Sequence, residues 1–96
     1  MTNKQLKRNW RKFSIKFKSS GEVKPMTDMF LMCWGETTMD LDGKSEKVVV
    51  FDQGGEMGSP ALFCQSDKDD TCWAFGWNEE KKTSVKTNIG KFIKPK

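Results

Sequence analysis

Ninety-six residues, of which 35% are hydrophobic and 31% charged, with four Trp, seven Phe and six Met, describe one small domain with an aromatic core and exclude a disordered chain. The net charge of +4 hides a segregation: residues 1–24 hold eight Lys/Arg against Glu22, residues 25–80 hold three Lys against twelve acids, and residues 81–96 hold six Lys. The longest apolar run, Met29 to Trp34, is six residues against the ~20 a membrane-spanning helix needs, and no apolar segment follows the N-terminal cations, so the expectation is an intracellular, cytoplasmic protein without a secretory signal.

Residues 3 to 11 are predicted as a short helix, with Thr2 or Asn3 as N-cap, because Leu6, Trp10, Phe13 and Phe17 fall at helical spacing. From Lys12 to Lys18 apolar and polar residues alternate strictly, the mark of a half-buried strand with lysines on its open face. Ser19, Ser20 and Gly21 end it. Met26 to Trp34 reads as a buried strand. Thr37 to Leu41 and Lys44 to Phe51 flank Asp42-Gly43, which suits the positive φ angles of a type I′ hairpin turn. The unbroken run Val48 to Phe51 predicts a strand covered on both faces. Gln53 to Pro60 is a loop, Ala61 to Cys64 and Cys72 to Trp77 form a second hairpin, and Asn78 to Thr83 is a polar turn. Ser84 to Ile89 makes a last strand, with a bulge at Gly90 and a continuation over Lys91 to Ile93. Together these predict a mainly β fold: a small, strongly bent antiparallel sheet or barrel of six or seven short strands with a short N-terminal helix.

Several chemistries fail on residue type. The absence of His removes the commonest general base, and with three cysteines and no Cys-x-x-Cys pair a structural zinc site has too few ligands. Cys64 and Cys72 would face each other if 66–71 is a hairpin turn, which would allow a disulfide; without a secretion signal, reduced thiols packed as small hydrophobes are expected. Gly54, Gly55 and Gly58 match no phosphate-binding pattern. Asp67, Asp69 and Asp70 resemble a calcium loop only in part, since Cys72 stands where glycine is needed and Asn78 where glutamate is needed. No enzymatic activity, cofactor or metal is therefore expected.

A cationic surface accounts for more of the sequence. Lys12, Lys16 and Lys18 on one strand face, joined by Lys4, Lys7, Arg8 and Arg11, and by Lys86, Lys91 and Lys94 where the two ends are neighbours, would track a phosphate backbone. Trp10 is the aromatic among them suited to stack on a base. Trp73, Phe75 and Trp77 also share a strand face, but the acidic segment around them favours a core role and separates them from the cations in sequence. The expected partner is RNA or single-stranded DNA, or an acidic protein surface. The rival reading is a small inhibitor or adaptor that docks a protein through the acidic and apolar middle segment. A helix lying on a membrane surface is disfavoured by the alternation from Phe13 to Phe17.

Overall fold

The computed structural model describes residues 1–54 and 61–95. Its helical elements are α1 (Asn3–Asn9), a short 3-10 turn (Trp10–Lys12) and α2 (Met26–Met29). Its strands are β1 (Ser14–Phe17), β2 (Val23–Pro25), β3 (Met32–Leu41), β4 (Lys44–Asp52), β5 (Ala61–Ser66), β6 (Thr71–Asn78) and β7 (Thr83–Ile93). All seven form one antiparallel sheet in the order β2-β1-β7-β6-β5-β4-β3. The sheet bends until Cα atoms of β3 come within 8 Å of β7, yet the two strands do not pair and the sheet stays open.

The helix begins where its cap allows. Thr2 Oγ1 accepts from the Gln5 amide at 3.1 Å and Gln5 Oε1 accepts from the Thr2 amide at 2.9 Å, a reciprocal capping box. Leu6 and Trp10, four residues apart, turn the same helix face to the sheet and are both buried. Asn3 Nδ2 donates to the Lys47 carbonyl at 2.9 Å and fastens the helix to β4. Beneath it lies the core, where Trp10 and Phe51 meet edge-on with centroids 5.5 Å apart and Phe30 stacks on Phe51 at 4.9 Å. Phe13, Ile15, Met26, Val49, Cys64, Cys72 and Phe92 complete this cluster. Val48, Val50 and Phe75 are buried outside it. Val48 to Phe51 are thus covered on both faces, as their β-branched run predicts.

The strand expected over Met26 to Trp34 is a correction. Met26 to Met29 is a single helical turn after Pro25, and the strand starts only at Met32. Met26 and Phe30 are both buried, at the i, i+4 spacing that a short apolar run cannot distinguish from strand. The Met26 amide also donates to the Phe13 carbonyl at 3.0 Å, a long-range tie that local periodicity does not contain. β3 then runs unbroken to Leu41, with a bulge between Cys33 and Gly35 where a break was expected. Asp42 (φ 53°) and Gly43 (φ 82°) make the expected positive-φ turn. Residues 55–60 of the expected Gln53 to Pro60 loop, Glu56 and Met57 among them, lie outside the described residues.

Cys64 and Cys72 are free thiols offset by two residues along the paired strands, Cys64 opposite Ala74 and Cys72 opposite Ser66, so they do not face each other directly. A hydrogen bond with Cys72 and burial push the Cys64 thiol pKa well up.

Candidate nucleic-acid interface

β1 pairs with β7 and thereby brings the two basic ends of the chain together. Ser14 faces Ile93, Ile15 faces Phe92, Lys16 faces Lys91 and Phe17 faces Gly90. Gly90 permits this approach: a Cβ built there would stand 1.9 Å from the Lys16 carbonyl oxygen. It sits at the β7 bulge, where the register with β6 passes from Cys72–Gly90 to Trp73–Asn88.

Alternation decides which way the lysines point. Ile15 and Phe92 are buried in the helix-covered core, so Lys16 and Lys91, next to them in each strand, project from the opposite, open face. Lys18 extends the row, its amide donating to the Ile89 carbonyl at 2.9 Å. Lys16, Lys18 and Lys91 line one shallow groove of ≈ 380 Å³ with Phe17, Gly21, Asn88 and Gly90. None of the three has a carboxylate within 4.0 Å among the described residues.

β7 lies between β1 and β6, so this cationic groove continues onto the aromatic strand. Asn88, in the groove, faces Trp73; Lys86 faces Phe75; Ser84 faces Trp77. The three aromatics alternate with Ala74 and Gly76 and, like Thr71 opposite Lys91, stand on the face away from buried Cys72. Phe75 is buried, Trp73 half-buried and Trp77 58% exposed. Lys86 Nζ lies 4.7 Å from the Trp73 ring centroid, a cation–π contact, and Trp73 Nε1 donates to Asp67 Oδ2 at 2.7 Å. The sequence keeps these aromatics and the N-terminal lysines far apart; only the β1-β7-β6 strand order joins them.

The remaining expected cations lie elsewhere. Lys4 and Arg8 are exposed on α1, on the other side of the sheet, and Arg11 follows them with its guanidinium 5.1 Å from the Trp10 centroid. Lys7 Nζ is 2.7 Å from Glu36 Oε1, and that hydrogen bond holds the Glu36 carboxylate below its ordinary pKa. Lys12 and Lys94 share a rim groove with Met1, Gln5, Asn9, Phe13 and Pro95, and Lys94 Nζ lies 3.8 Å from Asp70 Oδ2. The ten cations therefore form two patches on opposite faces, bridged at the rim by Lys12 and Lys94, rather than one. Trp10 belongs to neither: it is 4% exposed and packed between Phe30 and Phe51, so no base reaches its ring.

An acidic turn borders the open face. Asp69 Oδ1 accepts from Thr71 Oγ1 at 2.6 Å and from the Thr71 amide at 3.2 Å. With Asp67 the leading influence, then Thr71 and the nearby charge of Lys91, the Asp69 carboxyl is held well below the usual range. Among the described residues no group of three or more His, Cys, Asp or Glu side chains is arranged to hold a metal ion, and no helix is long and apolar enough to cross a membrane. Comparison with protein-family models, with curated proteins and with solved structures finds no match for this chain.

Proposed function

We propose that this protein is a non-enzymatic binder of RNA or single-stranded DNA, and that it grips the sugar-phosphate backbone on the open β1-β7-β6 face. The observation that carries this reading is the direct register of Lys16 with Lys91. Like charges directly opposite each other across two strands destabilise the fold. An anion bound between them removes that repulsion and releases its own counterions, so the arrangement suits a polyanion ligand. Lys18 and Lys86 extend the same row, while Lys4, Arg8 and Arg11 on the far face add a long-range attractive field rather than contacts.

The test is fluorescence anisotropy with a labelled single-stranded oligonucleotide at low salt. Lys16→Glu with Lys91→Glu is expected to weaken binding about tenfold or more, with circular dichroism unchanged. Absence of binding by the parent protein at low salt defeats the proposal.

A second reading rests on a different surface. Leu31, just before β3, and Met32 and Trp34 at its start are 68%, 47% and 57% exposed, and β3 is an edge strand of the sheet. Residues 25–43 carry four acids and no Lys or Arg. That combination suits an inhibitor or adaptor docking a basic, apolar partner protein. Retention of one specific protein after nuclease treatment, lost on Trp34→Ala, is the outcome that favours it.

A further inference from the structure

We infer that Trp77 is a stacking platform for an unpaired nucleobase, with Trp73 and Lys86 as the fixed second half of the same row. The inference rests on the nucleic-acid reading above and narrows it, because stacking on Trp77 demands a base free of its duplex. Among the three aromatics of β6 the environments diverge. Phe75 is 5% exposed and is floor; Trp73 is half-buried, its indole N–H held by Asp67 and its ring covered by Lys86. Trp77 has no such partner among the described contacts and leaves 58% of its surface in water.

An exposed tryptophan keeps a large apolar surface hydrated, and the ring of a base is the complementary surface that its flat face fits. Charge identifies the occupant. Trp77 stands two positions from Phe75, which faces Lys86, and the lysine row continues through Lys91 to Lys16 and Lys18. Trp73 and Trp77 are about 13 Å apart along the strand, so the two rings do not close on one base; Trp77 takes the base, while Trp73, its ring covered, holds Lys86 in place. Lys86, opposite Phe75 in the row beside Trp77, lies where a phosphate next to the stacked base would pass. The turn beyond Trp77 does not oppose this, since Glu79 and Glu80 are balanced by Lys81 and Lys82, with Lys82 Nζ 3.3 Å from Glu79 Oε2.

The experiment compares a 12-nucleotide thymidine oligomer with an abasic sugar-phosphate oligomer of the same length and charge, by anisotropy, on the parent protein, Trp77→Ala and Trp77→Phe. The parent is expected to bind the base-containing oligomer about tenfold more tightly than the abasic one, a preference that Trp77→Ala abolishes and Trp77→Phe largely retains. The salt dependence of Trp77→Ala should match the parent's, because no cation is lost. Equal affinity of the parent for the two oligomers, or an unchanged preference in Trp77→Ala, overturns the stacking inference while leaving backbone binding intact. Failure of the parent to bind either oligomer at low salt overturns both.

Discussion

Single side chains in this protein are assigned their roles by neighbours distant in sequence. Trp10 sits among Lys7, Arg8, Arg11 and Lys12, a setting that suggests base stacking, yet Phe30 and Phe51 enclose it and make it the centre of the core. Trp77 sits beside Glu79 and Glu80, a setting that suggests nothing of the kind, and it is the tryptophan left open beside the lysine row. Cys64 illustrates the same dependence chemically. Its hydrogen bond with Cys72 and its burial disfavour the thiolate in the folded state, so its folded pKa lies above the unfolded one. The stability this contributes is fully present below the unfolded thiol pKa of about 8.5 and is lost as pH rises beyond it. Alkylation by iodoacetamide at mildly alkaline pH is expected to modify half-buried Cys33 first and Cys64 only on unfolding. Labelling of Cys64 in the native protein at the rate of a free thiol would contradict this.

Among the elements, β7 has the greatest consequence. It is the longest strand, it separates β1 from β6, and its bulge at Gly90 lets it follow both. The alternation from Lys12 to Lys18, the Asp42-Gly43 turn, the helix cap and the bulge at Gly90 were all legible in sequence, because each rests on interactions within a few residues. The three-residue strand β2 and the helical turn α2 were not: Val23 to Pro25 pairs only because β1 is already placed, and Met26 folds inward onto the Phe13 carbonyl. Gly90→Ala puts a methyl group against the Lys16 carbonyl with nowhere to relax, and is expected to lower stability by about 3 kcal/mol in urea titration. At protein concentrations where the variant remains folded, its oligonucleotide affinity should also fall, since β1 must shift and carry Lys16 from Lys91. A loss of stability below roughly 0.5 kcal/mol would mean that the two strands separate easily.

For the molecule as a whole, charge is distributed by face as well as by segment. The open face gathers Lys16, Lys18, Lys86 and Lys91, and the helix face gathers Lys4, Arg8 and Arg11. If the four lysines of the open face contact phosphates, the logarithm of affinity for a single strand should fall with the logarithm of salt at a slope of about −3, a loss of about 50-fold between 50 and 200 mM. A slope near zero would remove the electrostatic basis of the interface; a slope much steeper would draw the helix cations into contact as well. Sequence alone determined the β-rich character, the helix start, the tight turns and the segregation of charge, since hydrophobic period, capping and turn chemistry act between near neighbours. Only the tertiary structure decided that the two basic ends lie side by side, that Trp10 is core and Trp77 surface, and that aromatics and lysines share a face. Those outcomes depend on strand order and on the bend of the sheet, which arise from long-range pairing and burial that no local pattern encodes.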